Sequence, residues 1–347
     1  MPNAPKFSAV IATYNRREYL LQAVQSVVEQ TYPAHEIIVA VDGSTDGSAE
    51  AVRARFPGVK IVEQPNLGRS IAVNTAVSQA TGDWLCFLDD DDIWHREKLA
   101  RTRDFLAENP DCQAGRSPLW TFGDPEEVPD GRGVDFACSD IEELHRLASS
   151  GKWGSKRFDY LRIKGNSFKL MLERNRGAYS STFLRRELFQ RVGGLNPSAT
   201  HADDWKLFLD VARVAEWHTL EEPLIFYRIH PGSDTATNPN ATRILAGKVA
   251  AWCCGRAMPA RVTEVERLEL LRGYGGEYRR EVQSFLWGAL RRGRLREAAV
   301  IAYLGAVLLP RFRDRAYAAF PPQVTWRVER SRAAIRALAK RRNKSNP

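Results

Sequence analysis

The chain has 347 residues, 44% of them hydrophobic and 27% charged, and a formal net charge of +9. This length suits two domains, or one large domain with an appendage, and the composition excludes wholesale disorder and a fibrous repeat. The charge is divided: residues 241–347 hold 23 Lys+Arg against 8 Asp+Glu, whereas the first 240 hold 28 against 34, so a mildly acidic body precedes a strongly basic tail.

In chain order, Phe7 to Ala12 is an apolar run of strand formers that stops at Thr13-Tyr14-Asn15. Apolar residues at Leu20, Leu21, Val24, Val27 and Val28 then follow helical spacing. A second strand, Glu36 to Val41, ends at Asp42-Gly43-Ser44, and Ser48 to Phe56 reads as a helix. Val59 to Val62 predicts a third strand and Ser70 to Gln79 another helix. Trp84 to Leu88 predicts a fourth strand that runs into Asp89-Asp90-Asp91-Asp92, followed by a helix over 96–108. Such alternation predicts a doubly wound α/β fold with a mostly parallel sheet. Ligands of such sheets bind outside the carboxyl ends of the strands, where the three polar clusters would meet.

From Pro110 to Asn175 no clean period emerges, apart from a helix over Glu142 to Leu147. Gly177 to Leu184 predicts a strand, followed by a helix over 185–192 that stops at Gly193-Gly194. Asp203 to Ala215 predicts an amphipathic helix and Pro223 to Ile229 a strand. Beyond Asn238 the chain reads as helical and basic, with breaks at Pro259, Gly275-Gly276, Gly293, Pro310 and Pro321-Pro322, and disorder is expected over Lys340 to Pro347.

The five cysteines (Cys86, Cys112, Cys138, Cys253, Cys254) are odd in number and form no CxxC pair. Neither a disulfide framework nor a zinc module is indicated, and a reduced, cytoplasmic setting is expected. No signal peptide is evident. The apolar run Ala298 to Leu309 is too short to span a bilayer, which takes about 20 residues.

Four consecutive carboxylates repel one another, and a divalent cation relieves that cost. Oxygen ligands suit Mg²⁺ or Mn²⁺. Residues two apart at a strand end point the same way, so either Asp89 with Asp91 or Asp90 with Asp92 can face the cleft. A solvated acidic turn capping the next helix is the plainer reading.

The segments VIATYNR, VDGSTDGS, PNLGRSIAVNTAVSQATGDW, FLDDDDIWHREKL, VGGLNPSATHADDWKLFLDVA and YRIHPGS, in that order, resemble the inverting family 2 glycosyltransferases of GT-A fold. The resemblance implies a catalytic region over 1–240, with a donor-binding half near 1–109 and an acceptor half near 110–240, and then a basic helical region over 241–347. It implies that Tyr14 packs on the nucleotide base, that Asp42 accepts from it, and that Ala12 lies near the ribose. It makes Asp89 and Asp91 a DxD motif, with Asp91 the direct ligand of Mg²⁺ or Mn²⁺ and Asp90 beside the donor. It makes Asp204 the general base, with Asp203 as its rival in place of the family's Glu. It places His230 near the metal or diphosphate, against the plainer reading of a loop histidine at a strand end. Arg228 would add positive charge beside the leaving group, and Arg69 would reach phosphate or serve the structure. Gly194 and Leu195 belong to a turn below the acceptor cleft, and His201 stands as an acceptor contact or a surface residue.

The implied reaction moves a sugar from a nucleotide-diphospho-sugar, a UDP-sugar foremost, to a hydroxyl of a glycan or lipid-linked acceptor. The basic tail either lies on an anionic membrane, at the inner face of the plasma membrane, or packs its apolar faces on the body. No nucleic-acid module is recognisable in it. Two other readings compete: a sugar nucleotidyltransferase, which lacks support because Thr13-Tyr14-Asn15-Arg16-Arg17 is not a Gly-rich loop, and a non-catalytic nucleotide-binding protein at a membrane surface.

Overall fold

The computed structural model describes residues 4–128, 134–150, 164–173, 175, 177–197, 199, 202–233 and 282–308. Contacts sort the chain into two compact units, Met1–Pro197 with Asp204–Asn240, and Ser198–Asp203 with Ala241–Pro347.

The first unit opens with strand–helix alternation: β1 (Phe7–Thr13), α1 (Arg17–Val28), β2 (Glu36–Asp42), α2 (Ser48–Arg55), β3 (Lys60–Gln64), α3 (Arg69–Ser78) and β4 (Trp84–Asp89). Strands β1, β2 and β4 read as nearly unbroken apolar runs because both faces of a central parallel strand are covered. β3 lies at the edge and exposes Lys60 and Glu63, charges that blunt pairing with another chain. The next elements are β5 (Ile93–Trp94), α4 (Lys98–Glu108), β6 (Ala114–Arg116), β7 (Trp120–Gly123), β8 (Phe136–Ala137), α5 (Ile141–Ser149) and α6 (Ser167–Glu173). A 3₁₀ turn at Tyr179–Ser181 leads to β9 (Phe183–Arg185), α7 (Arg186–Arg191), α8 (Asp203–Val214), β10 (Trp217–Thr219) and β11 (Ile225–Arg228).

The main sheet has the order β10-β6-β9-β4-β1-β2-β3. β4, β1, β2 and β3 are parallel neighbours, and β9 runs antiparallel to both β4 and β6. In this register Ala12 pairs with Asp89, Thr13 with Val41, and Asp42 with Gln64. The polar clusters at the ends of β1, β2 and β4 therefore lie side by side, as the sequence predicts. A smaller sheet, β5-β11-β7-β8, was not predicted. Its strands have two to four residues, too few to show a period.

Behind the small sheet an aromatic cluster joins Trp120, Phe136 and Phe226 to His95 and His145. The two imidazoles meet edge to face, with centroids 5.1 Å apart, and His145 Nδ1 is buried without a hydrogen bond among the described residues. Burial, then the charge of His95, pushes the His145 imidazole down to about 4, and burial also lowers His95. The surrounding charges are Arg96, Arg101, Glu97 and Glu142. The folded state thus refuses a proton that the unfolded chain takes below about pH 6.5. The part of the stability that depends on these imidazoles is therefore expected to fall as pH drops through that value, levelling only below pH 4. Between pH 7 and pH 5 the melting midpoint of the unmodified protein should shift downward by about 3 °C relative to that of His145→Leu.

In the second unit, residues 282–291 are helical, Gly293 turns with φ +67°, and α9 (Leu295–Leu308) follows. Val282, Ala289, Ala298 and Ile301 pack together, whereas Trp287 and Leu295 stay 59% and 71% exposed. No helix among the described residues is long and apolar enough to cross a membrane. The expectations for residues 234–281 and 309–347 lie outside the described residues.

Candidate active site

The acidic run at the end of β4 is divided by its surroundings into carboxylates of different kinds. Asp89 Oδ1 accepts from Arg69 Nη2 at 2.8 Å and Nε at 3.2 Å, and that guanidinium lies 4.0 Å from the centre of the Tyr179 ring. Asp92 is turned into the interior. Its Oδ1 accepts from the Arg228 N–H at 3.0 Å and its Oδ2 from Ser180 Oγ at 2.5 Å. Ser180 also accepts from the Asp89 N–H at 3.0 Å, so the 3₁₀ turn ties both ends of the acidic run.

Asp90 and Asp91 share one cation. Arg16 Nη1 lies 3.1 Å from Asp90 Oδ1 and 2.6 Å from Asp91 Oδ2, and Arg16 Nη2 donates to the Gly232 carbonyl at 2.9 Å. His230 Nε2 lies 3.1 Å from the same Asp91 Oδ2. Burial, with the adjacent charge of Asp91, pushes Asp90 up to about 7. Burial, with the charges of Asp91 and Asp89, also raises Asp92. At Asp91 burial pushes upward too, but His230 and Arg16 outweigh it and hold the carboxyl below its usual range.

β11 carries the opposing side. Arg228 is buried: Nε donates to the Asp91 carbonyl at 2.7 Å, Nη2 to Gln22 Oε1 at 2.5 Å, and its guanidinium lies over Tyr19 and Phe122. Its charge is thus spent on holding the acidic loop to α1 and β11. Tyr19 meets the His230 ring edge to face at 4.7 Å and sets its orientation.

At the end of β2, Asp42 accepts from Gln64 Nε2 at 2.7 Å, Leu67 N–H at 2.9 Å and Gly68 N–H at 2.8 Å. Asp42 therefore shapes the loop that delivers Arg69. Gly43, with φ +74°, comes so close to this loop that a Cβ would lie 2.6 Å from Asn66 N, so only glycine fits. Tyr14, which directly follows β1, is 49% exposed, and Ala12 is half-buried on β1 next to Asp89.

Among the described residues, no group of three His, Cys, Asp or Glu side chains is already gathered as a metal cage. The donor chemistry of Asp89, Asp91 and His230 nevertheless fits a divalent cation of the Mg²⁺ or Mn²⁺ kind, which takes carboxylate oxygen and accepts imidazole. Burial and then crowded negative charge push Asp90 and Asp92 upward, and such a cation relieves the crowding.

Residues 8–170 match the family model for glycosyl transferase family 2. The chain carries a family 2 glycosyltransferase domain. It is 26% identical over 248 residues to an uncharacterized glycosyltransferase of Nostoc, covering 68% of this chain and 69% of that one. It is 36% identical over 110 residues to the putative teichuronic acid biosynthesis glycosyltransferase TuaG of Bacillus subtilis, covering 30% of this chain and 43% of TuaG. The mannosyltransferase PcManGT of Pyrobaculum calidifontis, solved with GDP-Man and Mn²⁺, superimposes with a TM-score of 0.55 at 19% identity over 91% of this chain and 83% of that one. S. aureus TarS 1-349 with UDP does so at 0.54 and 18%, over 78% and 70%. The shared architecture is the GT-A fold.

The residues expected on the acceptor side stand on other elements. Asn74 on α3 holds Leu195 from both sides, its Nδ2 donating to the Leu195 carbonyl at 2.8 Å and its Oδ1 accepting from the Leu195 N–H at 3.0 Å. Gly194 turns with φ +71°, and a Cβ there would lie 2.6 Å from Asn74 Oδ1. Asp203 and Asp204 open α8, with Asp203 buried and Asp204 half-buried. Asp204 Oδ2 accepts from Asn175 Nδ2 at 3.3 Å and Oδ1 from the Trp205 N–H at 2.6 Å. His201 lies outside the described residues. Sequence reasoning gave no role to Arg16, Tyr19, Gln22 or Ser180. Arg16 stands within the VIATYNR segment and carried a signal; a lone Ser, Gln or Tyr at ordinary helical or turn positions carried none.

Proposed function

We propose that this protein transfers a sugar, with inversion, from a nucleotide-diphospho-sugar to a hydroxyl of a glycan or lipid-linked acceptor, in polysaccharide or glycoconjugate assembly. One observation carries the reading. At the carboxyl end of parallel strand β4, Asp91 is kept ionised between Arg16 and His230, next to the Arg69-bearing loop shaped by Asp42. Asp89, Asp91 and His230 would hold Mg²⁺ or Mn²⁺, which when bound supplies charge stabilisation to the departing diphosphate. Arg69 binds phosphate, Tyr14 stacks on the base, and Ala12 leaves room for the ribose. Asp204 takes the acceptor's proton as its oxygen bonds to the anomeric carbon and the diphosphate leaves with the electron pair, with Asp203 the alternative base. A single displacement of this kind inverts the anomeric centre. UDP in TarS, GDP-Man and Mn²⁺ in PcManGT, and the name of TuaG support the donor class, the cation and the biosynthetic setting. A UDP-sugar is the first donor to test.

The test is a melting screen of UDP- and GDP-sugars with Mn²⁺, followed by donor hydrolysis. A true donor raises the midpoint by mass action, adding about 2.7 kcal/mol of stability at a hundred times its Kd, and is slowly hydrolysed. Binding without any turnover would favour a non-catalytic nucleotide-binding protein.

We also place the protein on the cytoplasmic face of the plasma membrane. Trp287, Leu290 and Leu295 are exposed among the exposed arginines 291, 292, 294 and 296, a mixture suited to an anionic surface. The chain should float with vesicles containing 30 mol% phosphatidylglycerol and not with pure phosphatidylcholine. Equal flotation with both would remove the electrostatic part of this reading.

A further inference from the structure

Three arginines surround the acidic run, and they are not equivalent. Arg228 is locked, buried between Tyr19 and Phe122 with its nitrogens on Asp91 O and Gln22. Arg69 is held on Asp89 and against the Tyr179 face. Arg16 differs. Its backbone is fixed, because its carbonyl accepts from the Leu20 N–H at 2.9 Å and the preceding Asn15 is pinned by Ser44 Oγ at 3.0 Å. Its side chain, 27% exposed against 35% for Arg69, is set apart by what it holds: among the three it alone pairs with the Asp91 carboxylate, along with Asp90 and the Gly232 carbonyl.

Those partners include one of the two oxygens with which Asp91 could hold a cation. Asp91 Oδ2 already has Arg16 Nη1 at 2.6 Å and His230 Nε2 at 3.1 Å, which uses both of its lone pairs. A divalent cation on Asp91 therefore meets a guanidinium on the same group, and two like charges at such a separation repel. Once dislodged from Asp91, Arg16 keeps only Asp90 as an anionic partner and can take another. A guanidinium forks readily onto phosphate oxygens, and a diphosphate brought to the same strand end offers them.

We propose that Arg16 is a transferable counter-ion: it neutralises Asp90 and Asp91 in the free protein, yields Asp91 to the divalent cation, and then binds the donor diphosphate. This rests on the reading that Asp91 is a metal ligand. The consequence is a linkage. The cation alone must compete with Arg16, whereas nucleoside diphosphate gives Arg16 a new partner, so each ligand strengthens the other's binding by the same factor.

The experiment is Mn²⁺ titration, followed by the electron paramagnetic resonance of free Mn²⁺ and by calorimetry, on the full chain with no sugar present. It is run alone and with saturating UDP or GDP, correcting for Mn²⁺ bound by the nucleotide itself. Arg16→Gln should bind Mn²⁺ alone about tenfold more tightly than the unmodified protein, and its enhancement by nucleotide should shrink by a similar factor. Arg16→Lys, which keeps the charge, should stay within about threefold of the unmodified protein. Melting curves establish that each variant is folded. Unchanged or weaker Mn²⁺ binding by folded Arg16→Gln overturns the role of Arg16. Equal Mn²⁺ binding by Asp91→Asn and the unmodified protein overturns instead the metal reading beneath it.

Discussion

Asp91→Asn is expected to lower donor turnover by roughly 10³-fold while leaving the protein folded. The size follows from what the carboxylate does: it is the anion shared by Arg16 and His230, and the ligand proposed for the cation that meets the leaving diphosphate. Loss of one preorganised electrostatic contact at developing charge costs on the order of 10²–10³ in rate, and weakened metal binding adds to it. Fold stability should change little, within about 1 kcal/mol. Asn keeps the shape and one acceptor oxygen for Arg16, and the variant removes a like charge from beside Asp90 and Asp92, both of which burial and that charge push upward. The measurements are donor hydrolysis across Mn²⁺ concentrations and a melting curve. Turnover within tenfold of the unmodified protein, at every Mn²⁺ concentration, would falsify the assignment of Asp91.

Asp204→Asn is expected to reduce sugar transfer by about 10²–10⁴-fold, the usual worth of a positioned general base, with donor binding spared. Asp204 stands at the start of α8, where Asn175 holds one of its oxygens and the Trp205 N–H the other. Asn preserves the acceptor for the Trp205 N–H but cannot take a proton from a hydroxyl nucleophile. The donor affinity from the melting screen should stay within threefold, so the defect should lie in kcat. If Asp204→Asn transfers normally and Asp203→Asn does not, the base is Asp203 and the register of the pair is shifted by one residue.

Much of the polar cluster at the strand ends was legible in the linear chain. β1, β2 and β4 are buried on both faces, so each reads as a continuous apolar run whose end is marked by the first polar residues. Parallel neighbours in register then bring those ends together, which is why Ala12, Asp42 and Asp89 share one edge of the sheet. Of the small sheet only β11 was legible, inside the strand expected over Pro223 to Ile229; β5, β7 and β8 are held by pairing and by the Trp120–Phe226 stack rather than by any local period. Nor could spacing choose between Asp89 with Asp91 and Asp90 with Asp92. That depends on which carboxylates find Ser180 and the Arg228 N–H, residues about 90 and 136 positions away.

The sequence by itself determined the alternating α/β order, the acidic strand end and the basic tail, because each is a local pattern of burial or charge. Only the tertiary structure decided how the four aspartates differ. Their environments come from β11, from the turn at Tyr179–Ser181 and from Arg16 before α1, and the sign of each shift depends on burial and neighbouring charge that no stretch of chain contains alone. Likewise the resemblance put the charge of Arg228 beside the leaving group, whereas only folding shows it between two rings with Nε and Nη2 donating inside. Arg16, given no role in the linear chain, is the cation that folding brings onto Asp91.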